Sequence, residues 1–166
     1  FPYTTLFRSN RYYIESVNKQ RIRKLNNLEY ASGPIVYWMN RDMRIHDNWA
    51  LVYAQEEARL RGTYVIIIYN LVVDFLGGGR RQFQFKIEGL QDIASTAATY
   101  ALPFFIASDL TGKDTPHILL DFLKHVKAGM LVTDFSPLRI SRGWVETLRK
   151  KVSVPMYGVD AHNIIP

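Results

Sequence analysis

The chain has no cysteine, so it carries neither a disulfide framework nor a thiolate-held metal, a composition that suits a reducing compartment. Nor does it have a long hydrophobic run. The longest, residues 64–69, falls far short of the roughly 20 apolar residues that cross a bilayer, and no signal-peptide pattern is present, so no membrane association is expected. The compartment stays open between cytoplasm and nucleus. Glycine is missing from residues 40–46, where a dinucleotide-binding loop would need Gly-x-Gly-x-x-Gly directly after its strand. The cluster Gly77-Gly78-Gly79 follows no strand directly and lacks the Gly-Lys-Ser/Thr of a triphosphate loop, so it reads as a pliable approach to a helix. No serine sits in a nucleophile elbow, and no carboxylates pair in an acid/base arrangement. His117, Asp121 and His125 share a helix face at i, i+4 and i+8, but no fourth ligand group accompanies them, and no metal is expected.

Net charge is also scarce over most of the chain. The net +6 is concentrated in residues 1–24, where Arg8, Arg11, Lys19, Arg21, Arg23 and Lys24 face Glu15 alone. The basic arm, residues 10–32, reads as a solvated tail rather than a nucleic-acid footprint. The first nine residues, Phe-Pro-Tyr-Thr-Thr-Leu-Phe-Arg-Ser, look like the in-frame translation of a sequencing-library adapter and are set aside from fold reasoning. On that reading both natural ends of the protein are unknown.

What the chain does have is 48% hydrophobic residues in a length of 166, enough for one core and too short for two ordinary domains. The run Ile35–Met39 is apolar apart from one tyrosine hydroxyl, as suits a central strand covered on both faces. Further strands are expected at 64–69, 104–106, 130–133 and 155–159, alternating with helices at 48–61, 80–100, 116–127 and 141–150. Asp47 or Asn48 can cap the first helix, Gly62 can end it, and Asp114-Thr115-Pro116 supplies a cap followed by proline. The first helix shows two stripes, Leu51, Ala54 and Ala58 on one side and Trp49, Tyr53 and Leu60 opposite, the second free to meet the basic arm or another domain. The second helix carries one stripe, Phe83, Ile87, Leu90, Ala94 and Ala97. Together these predict a single α/β domain at 33–166, a doubly wound, Rossmann-like sheet of five parallel strands in the order 3-2-1-4-5.

Right-handed crossovers bring the carboxyl ends of the strands to one edge: residues 40–44, 70–74, 108–109, 134–139 and 160–163. Six strongly polar residues stand among nine there: Asn40, Arg41, Asp42, Arg44, Asp47 and Asn48. Arg41 and Arg44 can hold an anionic or carbonyl-rich ligand, oriented by Asp42 and Asp47. The bland alternative is that Asp47 and Asn48 only cap the helix and the Arg–Asp pairs are structural.

Three stretches together resemble the amino-terminal domain of class II cyclobutane pyrimidine dimer photolyases. They are Tyr37-Trp38-Met39-Asn40-Arg41-Asp42 through Asp47-Asn48-Trp49-Ala50-Leu51, then Asp134-Phe135-Ser136-Pro137-Leu138-Arg139, then Val159-Asp160-Ala161-His162-Asn163-Ile164-Ile165-Pro166. Met43 and His46 stand where the pattern has glutamine and an acidic residue, and Asn40 where it usually has serine. The resemblance implies a deoxyribodipyrimidine photo-lyase that repairs UV-damaged DNA in light, monomeric when full length. Its FAD would sit in a helical domain beyond residue 166, and a deazaflavin antenna would lie against the present domain, which would not repair DNA alone. The site it implies is Arg41, Asp42, Arg44, Asp47 and Asn48 around a pocket, Phe135, Pro137 and Arg139 lining it, and Asp160 and His162 at the exit toward the helical domain. No residue here is expected to be catalytic. A cryptochrome-like photoreceptor and a free-standing nucleotide-binding module remain alternatives.

Overall fold

A strand covered on both faces must be apolar at almost every position, and the runs that meet this condition form the middle of the sheet. The computed structural model describes residues 16–75 and 77–163, so the adapter-like opening lies outside the described residues. In chain order it contains a 3-10 turn (Lys19–Arg21), β1 (Ile22–Lys24), β2 (Ile35–Met39), α1 (Trp49–Leu60), β3 (Val65–Val72), α2 (Arg80–Thr99), β4 (Phe104–Asp109), α3 (Thr115–His125), β5 (Met130–Asp134), α4 (Arg139–Lys151) and β6 (Met156–Val159). One sheet runs β1-β6-β5-β2-β3-β4. Its five parallel strands follow the expected order, with every residue of β2, β3 and β5 buried.

Alternation along these strands sorts the core into two layers. Ile35, Tyr37 and Met39 of β2, with Ile67, Tyr69 and Val132 beside them, face α1 and α2 through Leu51, Ala54, Leu90 and Ile93. Val36 and Trp38, with Ile66, Ile68 and Leu131, face α3 and α4 through Leu119, Leu123, Trp144 and Leu148. Helices on both faces follow directly from that alternation.

The sheet has six strands rather than five, and the arm expected to be a solvated tail supplies the sixth. β1 pairs antiparallel with β6, Ile22 opposite Val159. Val17 is buried in the core, and Arg21 stacks on Trp49 at 5.7 Å from the ring centroid. The second stripe of α1 therefore meets the arm, Tyr53 also lying against Tyr157, while Leu60 stays exposed. Charge counting missed this because Arg23 and Lys24 are exposed while Val17, Ile22 and the stacked Arg21 carry the packing.

One of two expected helix ends differs from the sequence reading. α1 ends as expected: Gly62, at φ +65°, donates to Arg59 O and Thr63 donates to Ala58 O, a Schellman arrangement. Asp114, however, makes no capping bond to α3. Asp109, at the end of β4, instead braces the turn before the helix, accepting from the Asp114 N–H (3.0 Å), the Thr111 N–H (3.1 Å) and the Thr115 hydroxyl (2.9 Å).

Candidate functional site

The polar turn after β2 is organised by a carboxylate from the neighbouring strand. Asp134, the last residue of β5 and 1% exposed, accepts the backbone N–H groups of Asn40 (2.8 Å), Arg41 (2.6 Å) and Asp42 (2.9 Å), and the Tyr37 hydroxyl (3.2 Å). Asn48 supports the same knot. Its Nδ2 donates to the Tyr37 hydroxyl (2.9 Å) and to the carbonyls of Asp42 (3.3 Å) and Arg44 (3.0 Å), while its Oδ1 caps the Leu51 N–H (3.0 Å). Burial first, then the Asp134 charge, drives the Tyr37 phenol far above its ordinary pKa, so it stays a donor. Asp47 adopts φ +51° just before the cap, a left-handed turn that short polar residues tolerate.

The predicted residues separate into those that build this knot and those on the outer surface. Asn48 is wholly buried and spends its amide inside the fold. Asp42 is buried too, bridged to Arg44 Nε at 2.9 Å, with His162 Nε2 3.8 Å away. Burial raises its pKa, outweighing the pull of His162 and Arg44. Asp160 closes a turn on itself, accepting from the N–H groups of His162 (3.3 Å) and Asn163 (3.1 Å), and Arg21 donates to its carbonyl (3.1 Å). Those contacts offset burial and hold the Asp160 carboxyl below its usual range. Phe135, Pro137 and Arg139 are exposed.

Beside the knot lies a cavity of about 210 Å³. Trp38, Met39, Asn40, Arg41 and Met43 line it from β2 and its turn, Tyr69, Asn70 and Val72 from β3, and Phe75 and Lys86 from the approach to α2 and α2 itself. Ser136, Leu138, Ser141 and Trp144 close it from the β5–α4 side. Of the eight residues expected around or lining a pocket only Arg41 is in this wall, and Asp160 and His162, expected at its exit, are not. After β5 the chain is extended, so side chains alternate, and the cavity takes Ser136 and Leu138 rather than Phe135, Pro137 and Arg139. Nothing in a single sequence fixes that parity. Asn70, Ser141 and Trp144 did carry a signal, since each sits at a strand's carboxyl end or in the first turns of the helix after one.

The cavity is polar in one particular way. Among the described residues, four buried side-chain atoms have no hydrogen-bond partner, and three belong to its walls: Asn40 Nδ2, Asn70 Oδ1 and Ser136 Oγ; the fourth is Asp42 Oδ2. The Asn70 orientation is determined. Thr115 gives its proton to Asp109 (2.9 Å), so it must accept from Asn70 Nδ2 (2.7 Å), which leaves Oδ1 as the open acceptor. Buried groups of this kind ordinarily find partners, so three around one hollow mark it as a place for water or a ligand. The walls contain no histidine, cysteine or carboxylate. Lys86, stacked 4.9 Å from the Phe75 ring centroid, has its pKa lowered by burial. Indole and phenol rings with a few fixed polar atoms suit holding a flat heterocycle. They provide no nucleophile–base pair.

A sequence model of DNA photolyases matches residues 35–166, the stretch that includes β2, Asp134 and every wall of the cavity. The chain belongs to the DNA photolyase family. The deoxyribodipyrimidine photo-lyase of Arabidopsis thaliana is 38% identical over 158 residues, covering 91% of this chain and 31% of that protein. That of Potorous tridactylus is 37% identical over 154 residues, covering 90% and 28%. The chain thus spans about a third or less of the length of these relatives. Among solved structures, a universal stress protein from Archaeoglobus fulgidus superimposes with a TM-score of 0.52 at 24% identity, over 78% of this chain and all of that one. That likeness is one of fold. His117, Asp121 and His125 are exposed on α3, and no group of three or more His, Cys, Asp or Glu among the described residues is placed to hold a metal.

Proposed function

We propose that this chain is the antenna-bearing α/β portion of a class II deoxyribodipyrimidine photolyase, which repairs cyclobutane pyrimidine dimers in DNA by light. The observation that carries the reading is the cavity at the carboxyl edge: aromatic walls, three partnerless polar atoms, and no histidine, cysteine or carboxylate among the described wall residues. An antenna needs position and orientation rather than proton transfer. Those walls fit a deazaflavin, which when bound would absorb light and pass the excitation on. Asn70 Oδ1 would accept a ring N–H, Asn40 Nδ2 and Ser136 would donate to ring carbonyls, and Trp38, Trp144 and Tyr69 would flank the ring. At about 210 Å³ the hollow is below the roughly 300–1,000 Å³ of pockets that enclose a drug-sized ligand, so it takes one edge of a tricyclic system.

Repair itself belongs, on this reading, to an FAD-bearing helical domain, a division supported by relatives of which this chain covers 31% and 28%. The target base must leave the stack before its bonds can be reached. The 166-residue chain alone therefore repairs nothing. Titrating it with 5-deazariboflavin should quench the emission of the wall tryptophans with saturation. Absence of saturable binding, or FAD-dependent repair by the isolated chain, overturns the reading.

A further inference from the structure

We propose that Asp134 is a built-in anion that fills the backbone cradle at the sheet's switch point and so bars phosphate-bearing ligands from it. In doubly wound sheets the turn after the strand at the topological switch offers successive N–H groups to a ligand phosphate. β2 is that strand here. Its neighbours are β3 and β5, and the helices lead away to opposite faces of the sheet. Its turn does present three successive N–H groups, those of Asn40, Arg41 and Asp42, but all three end on Asp134.

The capture is two-pronged. Oδ1 takes the Asn40 N–H and the Tyr37 hydroxyl, and Oδ2 takes the Arg41 and Asp42 N–H groups at 2.6 and 2.9 Å. Two oxygens of a phosphate would require the same four donors. An incoming phosphate would therefore meet a carboxylate where it needs N–H groups, with the Asp42 carboxyl in the same turn adding repulsion. Burial keeps water from screening the exclusion, since Asp134 is 1% exposed. The edge is left with the adjoining cavity, which lies beside the filled cradle and shares Asn40 and Arg41 with it. Asp134 is thus a residue of specificity by exclusion, and the device stands whether or not a pigment is the natural ligand.

The test uses the 166-residue chain, with Asp134→Ala to empty the cradle and Asp134→Asn to neutralise it while keeping it full. Inorganic phosphate and formate should raise the melting temperature of Asp134→Ala by several degrees over chloride at equal ionic strength, because they bind the folded form alone. Neither should raise that of wild type or Asp134→Asn. In amide NMR, phosphate and AMP should shift Asn40, Arg41 and Asp42 of Asp134→Ala at least tenfold more sensitively than those of wild type. Thermal rescue is read even on a weakly folded variant. Equal response of Asp134→Ala to chloride, formate and phosphate overturns the proposal, and so does a phosphate-induced shift of those three amides with Asp134 in place.

Discussion

The two edges of the sheet solve opposite problems. At the amino-terminal edge the loops before β2 and β5 touch backbone to backbone: Gly129 donates to Pro34 O at 2.8 Å, and Tyr30 and Thr63 both donate to the Gly33 carbonyl. Gly33 sits at φ +109°, where a Cβ would run into the Lys127 carbonyl, and a Cβ on Gly129 would come 2.6 Å from Ser32 O. That edge is closed, and its polar groups are spent on one another. At the carboxyl-terminal edge Asp134 gathers one turn tightly, yet the cavity beside it keeps three buried polar atoms without partners. Leaving such a group unpaired costs roughly 1–3 kcal/mol. A fold able to satisfy its amino edge so thoroughly has left the other open for something to occupy.

The comparison breaks most visibly at its hub. Asp134→Ala strands three N–H groups and a buried phenol, and should lower unfolding free energy by roughly 3–5 kcal/mol in urea melts. A loss under about 1 kcal/mol would show that the turn after β2 holds itself. The corresponding break at the closed edge is Gly33→Ala, which adds backbone strain to a clash and should cost about 3 kcal/mol. Deazariboflavin affinity of the folded fraction should be unchanged by it. An altered affinity would mean that the edges communicate.

How much of this could be read in advance follows the same division. The layers were legible because the apolar runs of β2, β3 and β5 leave no other burial, and Gly62 marked the end of α1 through its left-handed φ. The carboxyl edge was legible as a place, from the parallel topology, but not as a set of contacts. Arg41, Asp42 and Asn48 announced themselves by charge and polarity, yet Asn48 turned inward as cap and brace. Asp134 stood in a recognisable motif, but its target, backbone N–H groups more than 90 residues away in sequence, has no side-chain signature. β1 was hidden by its own Arg23 and Lys24.

Smaller perturbations sharpen the contrast at the open edge. Asn70→Ala removes a group whose oxygen has no partner in the protein, so stability should move by less than about 1 kcal/mol, one bond to Thr115 being lost as one orphan disappears. Deazariboflavin binding should nevertheless weaken about tenfold, the worth of one ligand hydrogen bond. A variant that loses stability and keeps affinity would return Asn70 to a purely structural role.

The faintest expected effect is titration at the β4–α3 corner. Burial alone would raise the Asp109 pKa, but the Thr115 hydroxyl and the N–H groups of Gly112, Thr111 and Asp114 outweigh it and hold the carboxyl below its ordinary value. A lowered folded pKa means the unfolded chain binds the proton more readily, so Asp109 contributes its stability in full above the unfolded value near 3.9 and loses it as pH falls through the folded one. Asp42 has the opposite sign. Its raised pKa gives a contribution present below the unfolded value and lost as pH rises through the folded one. Urea midpoints followed from about pH 6 to pH 2 should therefore fall less steeply in Asp109→Asn than in wild type, by under about 1 kcal/mol, and more steeply in Asp42→Asn. Parallel curves for all three proteins would show that neither carboxyl is coupled to folding, and the open edge would then be held by Asp134 and packing alone.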